Sequence, residues 1–228
     1  MKNRQFKDAI YDQFARIGKA VSSPKRLELL DLLCQGPKNV ETLARESQMA
    51  EANTSRHLQV LLGSRLVTNE KQGVSVVYRL ADDEVCDFML AFRHLAENRL
   101  AEVQSITRQY LEAKHQLEPV DQEQLLSRAQ QGEVTVLDVR PEEEYRSGHL
   151  PGAISVPLEH LQSRLENLPK DQEVVAYCRG PYCVLAVEAV NILREEGFQA
   201  VRLEEGVPDW KTRGLILENN TADEQGNR

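Results

Sequence analysis

Two cysteines, Cys178 and Cys183, stand at the ends of a six-residue segment, CRGPYC. The run EVVAY before it reads as a buried strand, and a helix starting near Cys183 turns Ala186, Val190 and Leu193 inward. A short loop between a strand and a helix can turn its backbone N–H groups toward a central atom, with the positive helix end behind them. That setting favours an anion, so the Cys178 thiol is expected to ionise readily and act as a nucleophile. Gly180, Pro181 and Tyr182 shape the loop, and Arg179 supplies a cation beside the thiol. A second group of residues suits different chemistry. Asn53, Thr54, Ser55, Arg56, His57 and Gln59 fall at the start of a helical segment, with Lys71 further on, and such side chains pair with phosphates and base edges.

The elements that must position these residues follow two grammars. Phe6, Ile10, Phe14 and Ile17 recur at helical spacing, and Ser22-Ser23-Pro24 caps a second helix, KRLELLDLLC, which ends at Gly36-Pro37. A short helix over Val40–Ser47, a turn at Gln48–Glu51 and a helix from about Ala52 come next, the last carrying Leu58, Leu61 and Leu62 inward. LVTNEKQGVSVVYRLA then reads as a hairpin with Gly73 at its tip. Helix, turn, helix and basic hairpin together make a winged helix-turn-helix, which offers the N-terminal residues of its second helix to DNA. Asp82 and Asp83 cap one long helix from about 83 to 115, whose apolar stripe of Val85, Phe88, Phe92, Leu95, Leu100, Val103 and Ile106 wants a partner surface. Beyond it, VTVLDVR, AISVP, EVVAYC and AVRLEEG alternate with helical stretches, the pattern of a mostly parallel sheet flanked by helices. The expected fold is therefore an α+β, mostly helical winged helix-turn-helix unit followed by an α/β domain. The boundaries fall at 1–100, a helical linker at 101–117, the α/β domain at 118–217 and a polar, disordered tail at 218–228.

The net charge of -8 argues against DNA, yet it averages two unlike halves. Residues 1–100 hold 15 Lys+Arg against 13 Asp+Glu, whereas residues 101–228 hold 13 against 23. Within 52–79, Arg56, Arg65, Lys71 and Arg79 face a single acid, Glu70, and that stretch suits an anionic partner. No secretory leader is readable and no run approaches the ~18 apolar residues of a membrane span, so the expected compartment is the cytoplasm. Thiols stay reduced there, and Cys34, Cys86, Cys178 and Cys183 are not expected to form a disulfide framework. Cys34 continues the apolar line Leu27, Leu30, Leu33 and reads as core.

NVETLARESQMAEANTSRHLQVLLGSRLV with EKQGVSVVYRL, preceded by SSPKRLELLDLL, resembles the ArsR/SmtB repressors over about residues 8–98. The resemblance implies a homodimer that binds a two-fold symmetric double-stranded operator and releases it when an inducer arrives. Metal sensing in that family uses residues that this chain partly lacks. ETLARES at 41–47 has no cysteine, and the other site, laid on His94 and Glu97, falls on Ala81 and Asp83, so neither a metal nor a cofactor is expected. Thiol-sensing relatives place cysteines roughly where Cys34 and Cys86 lie, which leaves a redox pair open beside the core reading.

VLDVRPEEEYRSGHLPGAISVPL, the CRGPYC loop and LEEGVPDWKTRG resemble, in order, the three signatures of rhodanese-type sulfurtransferases. Asp138, Arg140, Glu144, His149, Gly206 and Trp210 take the family's places, and Asp138, Arg140 and Glu144 are expected to brace loops through hydrogen bonds rather than touch substrate. The resemblance implies that Cys178 takes sulfane sulfur from a thiosulfate, persulfide or polysulfide donor and passes it to a thiol acceptor, with Arg179 and loop amides holding the anion. The loop has the length of sulfur-handling members; relatives acting on phosphate or arsenate use a longer one. Cys183 replaces the basic residue that often ends the loop and becomes a candidate to resolve the persulfide. Three functions remain open: a repressor responsive to sulfur or thiol redox, a repressor whose second domain only senses arsenite or an oxyanion, and a sulfurtransferase with a dimerising N-terminal unit.

Overall fold

A computed structural model describes residues 3–113 and 121–219. The chain forms two compact units that divide between Phe92 and Arg93. In the first, α1 (Asn3–Val21), α2 (Pro24–Cys34), α3 (Val40–Glu46) and α4 (Glu51–Gly63) precede a hairpin of β2 (Val67–Gln72) and β3 (Ser75–Leu80). A two-residue strand, β1 (Lys38–Asn39), adds to β3, so the sheet order is β1-β3-β2, antiparallel throughout. Asn39 caps α3, its Oδ1 accepting from the Thr42 amide at 2.8 Å. Ser23 sits at the N-cap of α2 but makes no side-chain bond, so Pro24 rather than a hydroxyl marks that start. Gly73, at φ +61°, turns the hairpin as its sequence implies. Leu29, Leu30, Leu43, Leu58, Leu61 and Tyr78 form the core. Phe6, Ile10 and Phe14 of α1 remain exposed.

The single long helix expected over 83–115 is two: α5 (Asp83–Arg99) and α6 (Ala101–Ala113), broken at Leu100. Neither Pro nor Gly lies at the break, and the reason is tertiary. Glu97 bonds Tyr182, while Tyr110 lies within electrostatic reach of the next residue, Cys183. A straight helix would hold residues 97 and 110 about 20 Å apart along its axis. Asp82 caps α5 through the Val85 amide.

The second unit continues with α7 (Gln122–Gln130), β4 (Val134–Asp138), α8 (Glu142–Ser147), β5 (Ile154–Ser155), α9 (Leu158–Arg164), β6 (Glu173–Tyr177), α10 (Leu185–Glu195), β7 (Ala200–Arg202) and α11 (Val207–Thr212). The sheet has the order β5-β4-β6-β7 and every pairing is parallel. Alternation along its strands makes two cores. Leu137, Val174 and Ala176 pack with Leu161 of α9 and Val187, Val190 and Leu193 of α10. Val134, Val136, Val175 and Tyr177 pack with Leu125 of α7 and Trp210 of α11 on the other face. Trp210 is fully buried and its indole N–H donates to Glu205 at 3.2 Å. Glu218, placed in the tail by its sequence, instead bridges His149 through the backbone. The end of the expected linker, 114–117, and the rest of the tail, 220–228, lie outside the described residues. Among the described residues no helix is long and apolar enough to cross a membrane.

Candidate active site and nucleic-acid interface

β6 ends at Tyr177, and the next residue, Cys178, is 1% exposed at the carboxyl end of the sheet, where ligands bind in open α/β folds. Its Sγ donates to the Cys183 carbonyl oxygen at 3.6 Å, and the two side chains hydrogen-bond each other. Backbone N–H groups reach both sulfurs, from Gly180 and Ala186 to Cys178 and from Arg179 and Leu185 to Cys183. The loop therefore wraps its amides around two sulfurs, not one.

The more readily ionised thiol is the less expected member of the pair. Burial pushes the Cys178 thiol well up, and Cys183 beside it adds to that. The hydrogen bond from Cys178 brings Cys183 down to about 7, against the cost of its own burial, and the Arg179 and Leu185 amides help. Of the two, Cys183 is therefore the more readily ionised and Cys178 the donor in their hydrogen bond, whereas the loop amides alone imply a lowered Cys178 pKa. The physical reason is depth: Cys178 packs among Leu137, Val139 and Ala186, whereas Cys183 lies at the edge of that core.

Arg179 does not point at a donor. Its guanidinium grips buried Glu144, Nε lying 3.0 Å from both carboxylate oxygens and Nη2 2.6 Å from one, and its charge helps to lower Cys183. Asp138 and Arg140 form a second buried pair, with Nη2–Oδ2 at 2.6 Å and both side chains fully shielded. Burial works against the Arg140 charge, and Asp138 more than offsets it. Arg140 also donates to the Gly148 carbonyl, so this pair ties β4 to the turn after α8, the bracing role its residue types suggest. Gly180 has φ +138°, open to glycine but not to other residues. Gly206 is required by closeness: a Cβ there would lie 2.5 Å from the Arg179 carbonyl. Tyr182 is half exposed, and Pro181 offers its carbonyl to Arg202 at 3.3 Å. The sequence drew no attention to Arg202; a buried cation in a strand next to a reactive loop is the signal that would have found it.

In the first unit the reading residues divide. Asn53, Arg56 and Gln59 are exposed on α4, and Ser55 and His57 are half-buried. Thr54 is fully buried with its hydroxyl on the Ala50 carbonyl, so it is unavailable to DNA, because its position faces the helix before it. Gln59 donates to the Tyr78 hydroxyl and thereby joins α4 to the wing. Lys71 is exposed on β2, while Arg79 pairs with Glu70 across the hairpin. Cys34 and Cys86 are half-buried, so Cys34 is not the core residue its apolar neighbours suggest. Among the described residues no three His, Cys, Asp or Glu side chains gather as metal ligands, and Glu97 of the expected O/N set accepts from Tyr182 instead.

Two family models match the chain: the bacterial regulatory protein arsR family over residues 23–69 and the rhodanese-like domain over residues 121–213. The HTH-type transcriptional regulator Rv0324 of Mycobacterium tuberculosis is 40% identical over 212 residues, 93% of each chain. A sulfurtransferase of Allochromatium vinosum is 31% identical over 100 residues, covering 43% of this chain and 92% of its own. Among solved structures, the homodimeric winged helix-turn-helix DNA-binding domain of Mycobacterium bovis Mb0332 is 35% identical, with a TM-score of 0.41, covering 44% of this chain and 91% of that one.

Proposed function

Since the chain belongs to the arsR family of bacterial transcriptional regulators and carries a rhodanese-like domain behind its winged helix-turn-helix, we propose that it is a homodimeric repressor whose operator binding responds to sulfane sulfur taken up on Cys178. The observation that carries this reading is the amide-lined thiol pair, Cys178 and Cys183, in mutual hydrogen bond. Cys183 accepts the Cys178 proton, and the Cys178 thiolate attacks the outer sulfur of a persulfide or polysulfide donor. A new S–S bond forms at Sγ, the donor's S–S bond breaks, and the donor's remainder leaves as a thiolate with the electron pair. Cys183, once deprotonated again, attacks the Cys178 sulfur, expelling hydrosulfide and leaving a Cys178–Cys183 disulfide. The sulfane sulfur is reduced to sulfide, the two cysteines are oxidised, and a thiol reductant restores them. In the first unit, Arg56 and Lys71 meet phosphate and Asn53 and Gln59 meet base edges, while the exposed Phe6, Ile10 and Phe14 of α1 are covered by the second copy.

Incubating the full chain with sodium tetrasulfide tests the chemistry. Intact mass is expected to rise by about 32 Da or a multiple while the persulfide stands and to fall by about 2 Da once Cys183 has resolved it, and both changes are absent in Cys178→Ser. Uptake rises with pH through about 7, as Cys183 becomes able to take the proton, and levels off above it. A wild-type chain that stays unmodified refutes sulfur uptake. A mobility shift with the duplex upstream of its own gene tests the output: tetrasulfide is expected to release the DNA. Two thiols in contact also suit a thiophilic metalloid, so release by arsenite with no response to tetrasulfide favours that second reading.

A further inference from the structure

Arg93 and Glu97 belong to the second unit, which begins at Arg93. Glu97 accepts a hydrogen bond from the Tyr182 hydroxyl at 2.6 Å. One turn earlier on α5, Arg93 pairs with Asp209 and approaches Glu97 at 3.5 Å. Asp209 in turn accepts from the Gly206 amide at 3.1 Å, and Gly206 lies against the Arg179 carbonyl. The Arg93–Asp209 pair also roofs Gly180: a Cβ there would meet Arg93 Nη1 at 3.6 Å and Asp209 Oδ2 at 3.7 Å. One face of α5 therefore holds the loop at Tyr182 directly and at Arg179–Gly180 through Asp209.

We propose that Glu97 and Arg93 are positioning residues for the sulfur loop, and that sulfur loading at Cys178 is passed through them to α5. The inference rests on the reading that Cys178 takes up sulfur. Cys178 is 1% exposed and packs among Leu137, Val139 and Ala186, and because protein interiors are close-packed an added sulfur atom is expected to shift the loop. The inner side of the loop is held by the buried Arg179–Glu144 and Arg202–Pro181 contacts. Its outer side ends in half-exposed Tyr182, whose single hydroxyl bond to Glu97 is the fastening that yields most readily. Release of Tyr182 frees the C-terminal turns of α5, a helix whose Val85 and Met89 pack in the core of the DNA-reading unit. Neither Glu97 nor Arg93 touches the reacting sulfurs, so their replacement alters the response and not the uptake.

The test compares wild type, Glu97→Ala and Glu97→Gln as full chains, before and after sodium tetrasulfide, by intact mass and by amide hydrogen exchange across residues 83–99. All three are expected to gain the sulfur adduct. In wild type, loading raises exchange in the last turns of α5 several-fold. Glu97→Ala exchanges at the raised rate before loading and shows no further change, whereas Glu97→Gln, whose amide oxygen still accepts from Tyr182, restores the wild-type response. An adduct on wild type with unchanged exchange overturns this inference alone, as does a Glu97→Ala response equal to wild type. A wild-type chain that gains neither the adduct nor a Cys178–Cys183 disulfide overturns the sulfur reading and the inference with it.

Discussion

The residues that would read DNA stand in water, Asn53 and Arg56 exposed on α4, whereas the residues that would handle sulfur are hidden, Cys178 at 1% and Asp138, Arg140 and Glu144 at 1% or less. The first unit separates tasks: its leucine core holds the fold and its outward side chains carry the contacts. In the second unit one set of residues does both, since the ion pairs that hold the loop are also part of the core. A substitution there is expected to change stability and chemistry together, while one at exposed Asn53 or Arg56 is expected to change binding alone.

Removing a buried cation makes the sharpest test of that contrast. Arg140→Ala strands the Asp138 carboxylate in the core and is expected to cost about 3–5 kcal/mol, seen in urea unfolding as an early transition of the second unit with the first unmoved. A loss below about 1 kcal/mol would show that the pair is dispensable to the fold. Gly206→Ala forces a methyl against the Arg179 carbonyl and is expected to cost about 1–3 kcal/mol and to slow sulfur uptake in step. Normal uptake in a destabilised Gly206→Ala chain would break the claim that fold and chemistry share residues. Arg56→Ala, the smallest change, weakens operator binding on the order of tenfold, with unfolding midpoint and sulfur uptake unchanged. Loss of uptake in this variant would contradict the separation of tasks in the first unit.

The contrast also explains which features were legible in the sequence. Helices α1 to α4, the wing and the parallel strands announce themselves through local periodicity, and Gly73 and Asp82 mark their turns by residue type. The break at Leu100 left no mark, because it serves contacts with residues some 80 positions away. Thr54 looked like a reader because residue type does not reveal which side of a helix start faces its neighbour. The partner of Arg179, Glu144, lies 35 residues earlier, beyond the reach of local sequence patterns.

The sequence by itself determined that there are two units, that the second delivers Cys178 from a buried strand into a six-residue loop, and that Cys183 closes that loop. These follow from periodicity, local spacing and residue type, which act over a few positions along the chain. Which thiol ionises more readily depends on the tertiary structure, as do the pairing of Arg179 with Glu144 and the contact of Glu97 with the loop. Each depends on burial depth or on partners distant in sequence, and desolvation and ion pairing are properties of the packed chain rather than of the residues that carry them.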